Sequence, residues 1–312
     1  MQVYTTAPME DPRDARRTFR RLEEIGYDGA FSFEAKLDPF LPLVLAAEHT
    51  STLRLGTAVA IAFARNPMNL ANLAHGLQTI SGGRFALGLG SQVRPHIERR
   101  FSMTWSRPAA RMREMVLAIK AIFECWQNGS RLDFDGAFYR HTIMIPAFDP
   151  GPCPFGPPPI LLGGFLPKMI GVAGEVADGF IAHPFNSRKS LLENALPDLE
   201  RGLARAGRRR QDFEVICATL VVTAGDERAL AESKLAARKQ IAFYGSTPAY
   251  RATLECHGWS TLHGELNRLS KLGRWDDMTE LIDDEILETV SYTHLRAHET
   301  VLDLVCRLLL EK

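Results

Sequence analysis

The feature that most narrows the fold is a regular alternation of short, almost wholly apolar runs with amphipathic segments of helical period. Residues 3–6, 29–33, 53–63, 84–91, 160–164, 179–183 and 213–223 read as strands. Residues 14–25, 39–50, 69–80, 108–126, 167–177 and 188–206 read as the helices that follow the first six. Strands apolar at nearly every position belong to a parallel sheet covered on both faces. A strand-then-helix repeat is the signature of such a sheet. The first strand-to-helix turn is TTAPMED, with no glycine fingerprint for a dinucleotide. The expectation is therefore an α/β (β/α)8 TIM-type barrel rather than a doubly wound sheet.

Two stretches break the repeat. LDFDGAFYRHT (132–142) predicts a hairpin with Asp135-Gly136 at its turn, and seven of the fourteen residues 146–159 that follow are proline. As connections from a helix back to a strand, both are expected on the N-terminal face of the barrel, away from the chemistry. Residues 226–288 form a long helical region in which Trp259 and Trp275 read as packing residues, and His49, His75, His257 and His263 read as structural helix residues. The expected organisation is one domain over 1–289.

Composition removes several function classes. Lys plus Arg and Asp plus Glu both number 37, so nothing electrostatic calls for nucleic acid or an anionic membrane surface. The run RAGRRR (205–210) reads as a solvated helix end. The start MQVYTTAPMEDP lacks a signal peptide's pattern, and no apolar run suits a membrane span. Five scattered cysteines form neither a zinc pattern nor a disulfide framework, which fits a reducing cytoplasm. No metal site is expected. The partner is a small-molecule substrate, with self-association into a homo-oligomer left open.

Barrel enzymes carry their chemistry on loops at the C-terminal ends of strands. That rule selects Glu34, Lys36 and Asp38, then Arg65 and Asn66, then Ser91, Gln92, Arg94 and His96. It adds Gly163, Gly164 and Lys168 after the fifth strand, and His183 and Asn186 after the sixth. Gly163-Gly164 precedes a helix starting near Pro167, where free N–H groups suit a phosphate; a tight turn without a ligand is the alternative. His96, beside Arg94, can give or take a proton near neutral pH, or be a plain loop histidine.

The strings GTAVAIAFARNP (56–67), SGGRFALGLGSQVRPHIERRF (81–101) and PPILLGGFLPKMIGVAGEVADGFIAHPF (158–185), in this order, resemble the luciferase-like monooxygenase superfamily. Within it they are most similar to the branch of oxidoreductases that use the deazaflavin coenzyme F-420. The resemblance implies a barrel with the cofactor across its C-terminal mouth, FMN being the alternative cofactor. It implies a bulged third strand with a cis peptide between Ala58 and Val59, Ala60 beside it, backing the ring. It implies a phosphate on the loop Gly163, Gly164, Phe165, Leu166, Pro167 and Lys168. Asn66, Ser91, Gln92 and His183 complete the expected cofactor contacts. Many members place a histidine after the second strand, where this chain has Phe33-Glu34-Ala35-Lys36. Glu34 or His96 is left as the acid, unless solvent supplies the proton. The implied activity is hydride transfer at the deazaflavin C5; a two-component monooxygenase using reduced FMN and a non-catalytic flavin-binding barrel are the rivals.

The last residues, VSYTHLRAHETVLDLVCRLLLEK (290–312), resemble a translated sequencing adapter. The native eighth strand is then expected to be missing, with no strand pairing both the seventh and the first. A genuine closing helix is the alternative, because Leu302, Val305, Leu308 and Leu309 have helical spacing.

Overall fold

The computed structural model describes residues 2–7 and 11–294. The strands are β1 (Tyr4–Thr6), β2 (Gly29–Ser32), β3 (Arg54–Thr57), β4 (Ala60–Ile61), β5 (Phe85–Gly90), β6 (Phe134–Asp135), β7 (Arg140–His141), β8 (Ile160–Gly164), β9 (Gly179–Ala182), β10 (Glu214–Cys217), β11 (Leu220–Thr223) and β12 (Ser291–His294). The main sheet runs β1-β2-β3-β5-β8-β9-β10, with β4 also on β5. Along the main sheet, pairing is parallel from β1 to β8, as the continuous apolar strands required.

The chain forms two compact units, each discontinuous in sequence. Of the described residues, the first contains 2–7, 11–164, 168–181 and 199–215, and the second contains 165–167, 182–198 and 216–294. In the first unit the helix Pro108–Asn128 lays Met112, Met115, Val116, Ile119 and Ile122, all wholly buried, along one side. The second unit has its own core, built from Phe185, Val222, Ile241, Leu254, Leu266 and Leu287. Trp259 packs on that core as expected, whereas Trp275 is half exposed against Phe243. His257 lies in a turn rather than a helix, hydrogen-bonded to Ser187 at 2.7 Å.

Three boundaries depart from the sequence reading. The helix expected from Asn69 starts at Pro67, because Asn66 caps it by accepting from the Asn69 N–H at 2.9 Å. The run 53–63 is two strands, broken at Ala58-Val59. The run 213–223 is also two strands, and β11 leaves the main sheet to pair in parallel with β12. Residues 291–294 of the unusual C-terminal segment are thus a strand, and among the described residues β12 pairs with β11 alone. Leu302 to Leu309 lie outside the described residues.

The hairpin also corrects its expected position. Glu114 accepts from the N–H groups of Ala137, Phe138 and Tyr139, and Arg111 donates to the Tyr139 hydroxyl at 2.8 Å. The tip therefore lies against the first turns of the helix Pro108–Asn128, on the side where β5 ends. Pairing charged helix residues with its open turn decides this. The proline-rich stretch stays at the other end, with Cys153 hydrogen-bonded to Gln127.

At the N-terminal ends of the strands one ion pair ties the first unit together. Arg54 of β3 donates from Nη1 and Nη2 to the Glu214 carboxylate of β10, and from Nη1 also to the Tyr4 hydroxyl of β1 at 2.7 Å. β1 and β10 stand at opposite ends of the sheet order, yet Tyr4 Oη lies 3.5 Å from Glu214 Oε1. The sheet curls until its edges approach, as a barrel requires. Both charged side chains are partly solvated, so Arg54→Met is expected to cost about 2 kcal/mol, less than a fully buried pair. Urea unfolding of the two proteins measures it, and an unchanged midpoint would show the pair to be incidental.

Candidate functional site

At the opposite ends of the same strands the chain bulges. The peptide Ala58-Val59 is cis, at the position expected. The Ala58 N–H donates to Ser32 O at 2.7 Å, and the Glu34 N–H donates to Val59 O at 3.2 Å, so the bulge stays tied to β2 and its loop. The Val59 side chain rests on the two strands beyond. A Cβ on Gly90 would come within 2.5 Å of Val59 Cγ2, and one on Gly163 within 2.7 Å of Val59 Cγ1. Glycine is needed at both positions to seat that isopropyl group. Gly164 has the same relation to Met169, at 2.9 Å. The glycine pair thus makes room for protein side chains, not only for a ligand's approach.

Glu34 is a clamp. Its Oε2 accepts from the Ile61 N–H at 2.8 Å and from Arg65 Nη1 at 2.6 Å, and its side chain is 5% exposed. Arg65 Nη2 reaches Asp38 Oδ2 at 2.7 Å, and Asp38 Oδ1 accepts from the Phe40 N–H. Burial works against the Arg65 charge, but its hydrogen bonds to Glu34 and Asp38 raise its pKa above the ordinary arginine value. A carboxylate committed to two donors holds this loop to the bulge, and the geometry does not suit it to proton donation. His96 differs: it is exposed, at the start of a π turn His96–Arg100 whose Ile97 is fully buried. Half-buried Ser91 and Gln92 precede it; the Ser91 hydroxyl donates to Gln92 O at 3.1 Å, and Gln92 has φ 58°.

Lys168 is exposed at the second position of the helix Pro167–Val176. Phe165, Pro167 and His183 belong to the second unit. There His183 is enclosed by Phe165, Tyr244 and Tyr250, with ring centroids at 5.9, 4.7 and 4.3 Å. Its Nδ1 accepts from the Phe185 N–H at 3.1 Å, which leaves the proton on Nε2. Burial holds its pKa down to about 4. The same burial pushes Tyr250 up to about 12. Sequence reasoning named His183 but neither tyrosine, since both lie some sixty residues away in a region without strand signals.

The described residues contain no cluster of metal ligands, and none of their helices is long and apolar enough to cross a membrane. The profile of the luciferase-like monooxygenase family matches residues 1–304. The chain belongs to that family. The match extends inside the segment 290–312. An uncharacterized protein of Mycobacterium tuberculosis is 57% identical over 266 residues, 85% of this chain and 78% of the relative. A second protein of that organism, provisionally named a coenzyme F-420-dependent oxidoreductase, is 30% identical over 296 residues, 89% of this chain and 83% of its own. The solved coenzyme F-420-dependent tetrahydromethanopterin reductase of Methanopyrus kandleri superposes with a TM-score of 0.79 at 22% identity, covering 99% of this chain and 90% of that one. That likeness establishes the luciferase-like barrel fold.

Two outcomes follow for this luciferase-like chain. Gly90→Ala drives a methyl into Val59 and is expected to cost about 1–3 kcal/mol, as overpacking does. Adding Val59→Ala should recover part of that loss; thermal denaturation of the single and double variants measures the coupling, and strict additivity would deny the contact. The second outcome concerns pH. His183 has a folded pKa of about 4, below the ordinary 6.5, so its contribution is full above pH 6.5 and fades as pH falls toward 4. The wild type should lose roughly 3 kcal/mol across that window through this group, and His183→Gln should lack that component. Matching pH dependences in wild type and variant would contradict the assignment.

Proposed function

We propose that the chain is a coenzyme F-420-dependent oxidoreductase acting on a small organic substrate. The observation that carries this reading is the surface around Val59. One aliphatic side chain sits over Gly90 and Gly163, with Ala58 and Ser91 adjoining in sequence and Ala60 buried next to it. A surface without bulky side chains at the ends of parallel strands fits the face of a flat tricyclic ring. The 30% identical relative with an F-420 name favours the deazaflavin over FMN.

When bound, the deazaflavin supplies a carbon, C5, that gives or takes a hydride. The protein's part is to hold and orient. Ala58, Val59 and Ala60 back the ring, with Ser91, Gln92 and Asn66 at its border. Gly163 and Gly164 offer backbone and Lys168 a charge to the phosphate, at the start of a ten-residue helix with free N–H groups. His96 is the residue that holds a proton for the substrate; Glu34 keeps the bulge in place.

The test is a titration of the purified chain with F-420 and, separately, FMN. F-420 should bind more tightly, and Lys168→Gln should weaken it about tenfold, the loss of one charged contact. Tighter binding of FMN, with oxygen consumed when the flavin is supplied reduced, would replace this reading with a monooxygenase.

A further inference from the structure

Arg111 is a buried cation held by neutral groups. It stands in the first turn of the helix Pro108–Asn128. Its Nε donates to the Tyr139 hydroxyl at 2.8 Å, and its Nη1 donates to Thr104 O. Its guanidinium carbon lies over the Phe63 ring at 4.7 Å and 5.7 Å from the centre of the Tyr139 ring. None of these partners is an anion. Taking a guanidinium out of water is costly, and an apolar side chain would fill the same place at less cost. What arginine adds is a planar fork whose donors and face are fixed relative to one another. Here that fork reaches three separate stretches: the hairpin, the loop after β5 and the turn after β4.

The last of these leads to the surface around Val59. Phe63 is wholly buried in the turn Ala62–Ala64, which follows β4 without a break. β4 sets Ala60 opposite Leu89 and Ile61 opposite Gly90 of β5, and Val59 immediately precedes it. The bulge is therefore tied on one side to Ser32 and Glu34, and on the other through Phe63. Trp105 packs edge-on against Phe63 at 5.7 Å and adjoins Thr104 in the chain. Arg111 thus holds both partners of that ring contact. The hairpin gives it firm backing: Glu114 accepts from three successive N–H groups there, and Arg107 lies over Phe138 at 4.7 Å.

We infer that Arg111 is a positioning residue for the cofactor ring: through Phe63 and Thr104 it sets where the Val59 bulge stands relative to the loop after β5. The inference rests on reading Val59 as the ring's support, and it names the residue that fixes that support. Arg111 acts without touching the ligand. A support held by a surrounding shell loses affinity when that shell is loosened.

The test titrates the whole chain with F-420 and follows both affinity and the visible circular dichroism of the bound deazaflavin, which reports the ring's surroundings. Arg111→Met should weaken binding about tenfold and alter the spectrum at saturation. Arg111→Lys keeps a cation over Phe63 and should restore part of both, and Tyr139→Phe should fall between wild type and Arg111→Met. Arg54→Met is the control: it loosens the sheet at the opposite strand ends and should leave affinity and spectrum unchanged. Wild-type affinity and spectrum in Arg111→Met would overturn the inference, as would equal losses in Arg111→Met and Arg54→Met. Should Arg111→Met fail to fold, unchanged binding in both Arg111→Lys and Tyr139→Phe overturns it instead. If wild type takes FMN and not F-420, the cofactor proposal falls, and the same series read with FMN decides the role of Arg111.

Discussion

The seat of Val59 is the contact on which the proposed site depends. Its isopropyl group occupies space that a Cβ would fill on two neighbouring strands, at Gly90 and at Gly163. Packing density makes such a contact exclusive: the bulge can rise only where both neighbours are bare. Three strands therefore share one constraint, although no polar group takes part. The loop beyond β2 adds the electrostatic half, with Glu34 joining the Ile61 amide to Arg65. A bulge packed from one side and clamped from the other is preorganised, and a ligand binding there need not order it.

Charge is used differently at the two ends of the same sheet. At the N-terminal ends, Arg54 and Glu214 satisfy each other and bring distant strands together. At the C-terminal ends, Glu34, Arg65 and Asp38 pair with one another, while Lys168, at the start of the helix Pro167–Val176, stays exposed. That network of two carboxylates and one guanidinium fixes the loop geometry through its hydrogen bonds.

Much of this was legible in the sequence because strand and helix periods are local. β8 falls at residues 160–164, as the apolar run ILLGG indicates, and the break in β3 falls at the alanine-valine pair singled out by its motif. Partnerships were not legible. Glu34 and Arg65 were both candidates by position, but nothing local says that one neutralises the other across thirty-one residues. That pairing turns Glu34 from a possible acid into a support. The double glycine holds a second meaning that is equally invisible: Gly-Gly before a helix suggests phosphate, and nothing local says that Gly163 and Gly164 also make room for Val59 and Met169. The apolar run 213–223 contains no signal for its break, because leaving the sheet at Leu220 depends on β12, more than sixty residues later.

The hairpin at 134–141 supports the loop after β5 from outside it. Its tip is gripped by Glu114, and its Tyr139 hydroxyl accepts from Arg111. The other end of that guanidinium donates to Thr104 O, and its plane lies over Phe63 at 4.7 Å. Phe63 follows the bulge directly and packs on Trp105. One buried arginine thus couples the hairpin, the residues after the bulge and the loop after β5. A change in the hairpin would reach that loop through Arg111. Loop variation on a fixed barrel is how such folds acquire new specificity. Here the support of one strand-end loop comes from a hairpin that lies between a helix and the next strand.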